Sequence, residues 1–501
     1  MLVPVTALLP RLTALASVLY ALGSTACGGS DPDPPSERVI EAPKLTSRRL
    51  TTRGGAFIDE LGRKVILRGF NVGGRSKMPP FVPFEITSSA DVPGRAAQIM
   101  SAVRKLGANG VRLTLSWEAL EPQRDAYDSD YIARYRALLD AADHAGLAVI
   151  IDFHQDVFQA AFCGDGFPEW TLGDIAHGPP HYDCPGFGWS LPYFDKMSDV
   201  SRAFDRLWTN RDGVLDALVG MWAKVAREFG RHPAVAAFEV MNEPGSGSQT
   251  PEVVGANVLP PVYDRVAAAI EAEVGPAAVM GDEPIAITEL GRLVRPSHAR
   301  FVYGPHYYDI STTLGSPVDQ DRIRTEVSAI LDRAEPWGAP VVIGEFGAPN
   351  ATSQKAEFST AVLDAADARR ASAMAWEASM SDVLWNSEDF SVLMSDGSER
   401  SDGSQRPWGA ALDRPVPRAI DGTIIDLGWD PAAMRFTLAV EGEGDKVSEV
   451  YLPVRHFGAM PKITVTGARF RWMADTGMAL VSAERGVSWS LTAEAQSFPV
   501  L

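Results

Sequence analysis

Gly213–Gly230 (GVLDALVGMWAKVAREFG) and the run shortly after it, Val235–Asn242 (VAAFEVMN), decide the fold. In the first, Leu215, Leu218, Val219, Trp222, Val225, Ala226 and Phe229 recur at spacings of three and four, which predicts an amphipathic helix. The second is apolar on both faces, which predicts a strand covered from both sides. Working outward, the same alternation repeats. Tyr131, Tyr135, Leu138, Leu139 and Ala142 form a helical stripe ahead of another apolar run. The expected strands are Val65–Asn71, Gly110–Ser116, Leu147–His154, Val235–Asn242, Pro284–Thr288, Phe301–His306, Pro340–Phe346 and Ser372–Glu377. Eight strand–helix units close into a parallel (β/α)₈ barrel of the α/β class. The stretch from Gln155 to Asn210 is too long for an ordinary strand–helix loop and is expected to serve function.

Past residue 410 the period changes from helical to two. Met434–Glu441, Val450–Val454, Phe470–Met473 and Val487–Leu491 alternate, with glycine turns between them. This predicts a separate antiparallel β-sandwich. The expected organisation is an export signal over 1–27, a flexible linker over 28–48, the catalytic barrel over 49–409 and the sandwich over 410–501.

The 501 residues carry 46 Lys and Arg against 64 Asp and Glu, a net charge of −18. Such a chain repels nucleic-acid phosphates and anionic membranes, but not a neutral sugar or an apolar lipid tail. Leu12 to Leu22 form an apolar run after Arg11, followed by Gly23, Ser24, Thr25, Ala26 and Cys27. That reads as an export signal, too short for a spanning helix. Small residues before Cys27 and a Pro/Ser-rich stretch after it resemble a bacterial lipoprotein processing site, so Cys27 is the expected lipid anchor and plain secretion the alternative. Cys163 and Cys184 then share one Gly/Pro-rich loop and are expected to form a disulfide.

In a barrel of this kind chemistry sits at the C-terminal strand ends. Those ends carry Arg112, then Asp152-Phe153-His154-Gln155-Asp156, Asn242-Glu243-Pro244, His306-Tyr307-Tyr308, Gly344-Glu345-Phe346-Gly347 and Trp376-Glu377. Glu243 and Glu345 top strands four and seven, which face each other across a small barrel. Two facing carboxylates are what glycoside hydrolysis needs, one as acid and one as attacking group. Glu243 is expected to hold its proton, and Glu345 to stay ionised beside Arg112 and the Tyr308 hydroxyl. Asn242 suits a sugar 2-hydroxyl, and Trp376 offers an aromatic face.

This set resembles glycoside hydrolase family 5, the cellulase-type retaining clan, with Asn242-Glu243-Pro244 and Gly344-Glu345-Phe346-Gly347 as its signatures. The resemblance implies Glu243 as acid/base and Glu345 as nucleophile, with Arg112, His154, Asn242, His306, Tyr308 and Trp376 completing the site. A finer resemblance, to the endoglycoceramidase branch, lies in Gly69-Phe70-Asn71 with Lys77, His154-Gln155-Asp156, Cys163 to Trp170 and Pro415 to Gly422. It implies sugar contacts by Lys77 and Asp156, and cleavage between glycan and ceramide or removal of glucose or galactose from related lipids.

The expected activity is therefore a retaining β-glycosidase on glycolipids, with a family 5 endoglucanase or mannanase on polysaccharide as the alternative. A metal-dependent barrel hydrolase using His154, Asp156 and His306, and a non-catalytic carbohydrate-binding surface protein, are the rivals of other classes. No cofactor or metal is implied. The expected partner is a glycolipid or oligosaccharide, and the expected location is the cell surface or the medium. Met78-Pro79-Pro80-Phe81-Val82-Pro83-Phe84 either lines a lipid path or caps the barrel.

Overall fold

The computed structural model describes residues 39–184, 186–285, 291–398 and 408–495. The expected export segment, Cys27 and residues 28–38 of the expected linker lie outside them. The chain divides into Met1–Val39 and Ile40–Leu501, and the second unit holds every strand and helix of the described residues.

Eight parallel strands form the barrel: β1 (Arg68–Val72), β2 (Gly110–Leu115), β3 (Ala148–Phe153), β4 (Val235–Glu239), β5 (Ala278–Gly281), β6 in two pieces (Phe301–Tyr303 and His306–Tyr307), β7 (Val342–Phe346) and β8 (Ser372–Ala375). The ring is closed. β8 pairs with β1 through Ala373 and Arg68, and the second piece of β6 pairs with β7 through His306 and Glu345. β6 breaks at Gly304-Pro305 because proline has no N–H for the ladder. A bridge from Tyr303 to Val341 carries the pairing past the break. Every residue of β2 and β3 is buried, as expected of strands covered on both faces. The helices that cover them include Val92–Lys105, Ser129–His144, Val214–Phe229, Leu259–Val274, Gln320–Asp332 and Lys355–Arg369.

Two expected strands move. The fifth was expected at Pro284–Thr288, but the chain pairs through Ala278–Gly281, and residues 286–290 lie outside the described set. Pro284 lacks a ladder donor, whereas the short Ala-Val-Met-Gly run is fully buried between β4 and β6. The first begins at Arg68, because Lys64–Val65 belongs to a different sheet.

That sheet runs, in spatial order, Thr51–Arg53, Ala56–Ile58, Lys64–Val65, Val416–Ile420, Ser448–Tyr451, Met478–Ser482 and Arg469–Met473. A second antiparallel sheet runs Gly422–Asp430, Arg435–Gly442, Trp489–Glu494 and Lys462–Thr466. Ile420, Phe436, Leu438, Val440, Val450, Val481, Trp489 and Leu491 pack between them, which makes the sandwich. Segments before and after the barrel therefore build one sheet, through Ala419 opposite Val65 and Ile420 opposite Lys64. Leu50 and Phe57 from the same N-terminal stretch pack with Ala148, Ile150, Met280 and Met374 of the barrel. Buried ions fasten the join: Arg63 Nη1 reaches Glu449 at 2.7 Å and Arg418 Nη2 donates to the Gly107 carbonyl at 2.6 Å.

Among its described residues, Gln155 to Asn210 carries only short helical turns before the helix Asp199–Trp208. It is cross-linked by a Cys163–Cys184 disulfide, Cα–Cα 6.1 Å. Met78, Val82 and Phe84 are buried, so the Met78–Phe84 loop packs onto the barrel and does not offer those side chains to a lipid path.

Candidate active site

Arg112 sits at the centre. It is fully buried on β2, and its guanidinium is divided among four strands. Nη1 donates to Asn71 Oδ1 at 2.8 Å and to Glu345 Oε1 at 2.6 Å. Nη2 reaches Glu239 Oε1 and Asp152 Oδ1, each at 3.0 Å, and Asn242 Oδ1 at 2.8 Å. Nε donates to the other oxygen of Glu239. A planar fork facing several acceptors is a task for arginine and not lysine.

Glu345 takes its second partner from Tyr308, whose hydroxyl donates to Oε2 at 2.7 Å. Burial opposes its charge, but His306 and Arg112 outweigh burial and hold its carboxyl below the usual range. Glu243, off the end of β4, approaches the same space. His306 Nδ1 lies 3.0 Å from Glu243 Oε1 and 3.7 Å from Glu345 Oε2. One carboxylate oxygen of Glu243, one of Glu345 and a nitrogen of His306 all lie within 4.8 Å of one another. The expected facing pair is thus brought together, well inside the roughly 6.5–9.5 Å spacing of an inverting site.

A second group adjoins the first. Asp152 connects them, with Oδ1 on Arg112 and Oδ2 2.7 Å from His154 Nδ1. The His154 ring stacks on Trp376 with centroids 5.2 Å apart. Lys77 Nζ lies 2.6 Å from Asp156 Oδ2 and 3.1 Å from Glu388 Oε2, and over the rings of Trp385 and Trp376 at 4.0 and 4.5 Å. Lys77 is aimed by the loop before it. The Gly74 N–H donates to Glu377 Oε2 at 2.7 Å, and a Cβ on Gly73 would meet the Ala378 carbonyl at 2.5 Å. Glycine is required at position 73 for that close approach.

All ten residues expected to act on sugar lie in this one connected network. His154 and His306 do not converge as a metal pair would: the first is held by Asp152 and Asp156, the second by Glu243, Glu345 and Asp282. The sequence motifs include Asn71 and Asp152 without giving either a role, and they say nothing of the part played by Glu239, Asp282, Trp385 and Glu388. Asp152 and Glu239 did carry a signal, since each is an acid inside an otherwise apolar strand. Trp385 and Glu388 sit on an irregular loop with no period to read.

The buried histidines give a stability test. Burial would discharge both, but Asp152 for His154, and Asp282 with Glu345 for His306, push each up to about 10. A histidine free in the unfolded chain titrates near ~6.5. The extra proton affinity of the fold stabilises fully below that value and is lost as pH rises towards 10. The unfolding midpoint is therefore expected to fall between pH 7 and 10, and His154→Gln to flatten part of that slope. An identical slope in the variant would contradict the assignment.

The family model described as Cellulase (glycosyl hydrolase family 5) matches residues 62–382, and the glycoside hydrolase family 5 C-terminal domain matches 414–492. Endoglycoceramidase I of Rhodococcus hoagii is 29% identical over 327 residues, 60% of this chain and 62% of that protein. An endoglycoceramidase of Cyanea nozakii is 29% identical over 243 residues, 43% and 46% of the two chains. The matches thus span between about half and three-fifths of these relatives' own lengths. The structure of endo-glycoceramidase II from Rhodococcus sp. superposes with a TM-score of 0.68 at 24% identity, over 91% of this chain and all of that one.

Proposed function

From its membership of glycosyl hydrolase family 5, which makes this chain a glycoside hydrolase, we propose that it cleaves the bond between glycan and lipid by a retaining two-carboxylate mechanism. The observation that carries the mechanism is the approach of Glu243 and Glu345 to within 4.8 Å around one imidazole nitrogen. In retaining enzymes the carboxyl groups stand roughly 5–5.5 Å apart, leaving no room for a water between the second carboxylate and the anomeric carbon. Glu345, held ionised by His306 and Arg112, attacks the anomeric carbon. Glu243 gives its proton to the departing oxygen. The covalent glycosyl-enzyme is then opened by a water that returns its proton to Glu243. Lys77, Asp156, His154, Asn242 and Trp376 hold the sugar beside them.

The glycolipid reading is supported by the sequence likeness to endoglycoceramidase I over 60% of this chain. Its test is a release assay on lactosylceramide and glucosylceramide beside carboxymethylcellulose and mannan. Sugar released from ceramide with little from either polymer is expected. The reverse pattern would give the chain to the polysaccharide-cleaving members. For location we propose export and acylation at Cys27, so that a lipid-sized mass should be present on the mature N-terminus and absent after Cys27→Ser.

A further inference from the structure

One buried acid touches the proposed acid/base from two sides. Asp282 follows β5 and is 3% exposed. Its backbone is fixed by the Tyr263 hydroxyl, which donates to the Asp282 carbonyl at 2.7 Å, and its Oδ1 accepts the Glu283 N–H at 2.7 Å. The remaining oxygen, Oδ2, accepts the Glu243 N–H at 3.2 Å and faces His306 Nε2 at 3.5 Å. His306 Nδ1 in turn meets Glu243 Oε1 at 3.0 Å. The contacts close a ring: Glu243 side chain, imidazole, Asp282, Glu243 main chain.

Each contact has work to do. Glu243 has φ +38°, a left-handed conformation that a non-glycine residue holds only when its surroundings fix it. Gln155 Nε2 grips the carbonyl side, on Asn242 O at 2.7 Å and Glu243 O at 2.9 Å, and Asp282 grips the N–H side. The imidazole contact governs protons. Acids on both sides keep both ring nitrogens protonated, so Nδ1 presents an N–H to the Glu243 carboxyl, and Asp282 is the acid facing the opposite nitrogen. The groups facing this ring are Glu243 and Glu345 on Nδ1, and Asp282 with Glu239, at 4.0 Å, on Nε2.

We propose that Asp282 is a positioning residue for the acid/base step: it fixes the backbone turn of Glu243 and, through His306, the protonation of the nitrogen that faces the Glu243 carboxyl. This rests on Glu243 being the acid. Asp282 never touches the sugar, so its effect is confined to steps in which Glu243 moves a proton.

Leaving-group dependence tests this, because a dinitrophenolate departs without help and an alkoxide does not. The rate to follow is that of glycosyl-enzyme formation on 2,4-dinitrophenyl and alkyl β-lactosides, for the parent, Asp282→Asn, Asp282→Ala and Glu243→Ala. Both Asp282 variants are expected to lose roughly 30-fold or more on the alkyl lactoside and about threefold or less on the dinitrophenyl one. Asparagine keeps an acceptor for the Glu243 N–H, so its variant reports the imidazole contact even if the alanine variant does not fold. Equal losses on both substrates, or no loss on either, would overturn the proposal. Glu243→Ala separates the two readings. If it shows no leaving-group dependence, the acid assignment itself fails; if it does while the Asp282 variants do not, only the role of Asp282 fails.

Discussion

Glu345→Gln is expected to lose turnover by about 10⁴-fold or more while remaining folded. The amide is nearly isosteric, and its oxygen can still accept from Arg112, so the packing around β7 survives. What disappears is the negative charge that, in the proposed mechanism, attacks the anomeric carbon. The parent, given an activated 2-deoxy-2-fluoro glycoside, should accumulate a covalent sugar on the peptide that contains Glu345, because the fluorine slows both steps and the good leaving group restores only the first. Peptide mass mapping reads this directly. A label on Glu243 would exchange the two roles. No label together with undiminished turnover in Glu345→Gln would remove the two-carboxylate mechanism altogether.

Arg112→Met is expected to be the most destabilising single change in the barrel. Glu239, Asp152 and Glu345 all lean on this one guanidinium, and none is solvated. Removing one side of a buried ion pair typically costs about 3–5 kcal/mol, because the opposite charge stays behind in a medium of low polarity. Here three charges stay behind. Burial already pushes Glu239 up to about 7 despite Arg112, so without the arginine this carboxyl has still less reason to ionise. The variant should unfold at markedly lower urea concentration, and the loss should shrink at acid pH, where the stranded acids neutralise. Adding Glu239→Gln should return part of the stability, since the two positions share one interaction. Unchanged denaturation of Arg112→Met would mean that the network does not hold the strands together.

The barrel and the two acids that meet at its mouth were legible because their signals are local. Apolar runs flanked by helical stripes gave the strands, and acids at strand ends gave Glu243 and Glu345. What was missed is either too short or too distant to leave a pattern. Thr51–Arg53, Ala56–Ile58 and Lys64–Val65 have two or three residues each, below the length at which a period of two can be seen. Val416–Ile420 contains Pro417 and a charged residue, Arg418, that is nevertheless buried against the barrel. Asp282 escaped because the strand that carries it was expected a few residues later, at Pro284–Thr288. Glu388 and Trp385 reach Lys77 from a loop whose path depends on tertiary contacts, among them Asn386 Nδ2 on the Cys163 carbonyl at 2.6 Å.

The pairing of Val65 with Ala419 also orders events on the ribosome. The hairpin of Thr51–Arg53 and Ala56–Ile58, with Lys64–Val65, is made long before Val416–Ile420, the strand it needs. Until then the hairpin edge is unpaired and the floor that Leu50 and Phe57 help to fill stays loosely held. The strands ahead of the barrel thus settle only once the β domain that follows it has been made.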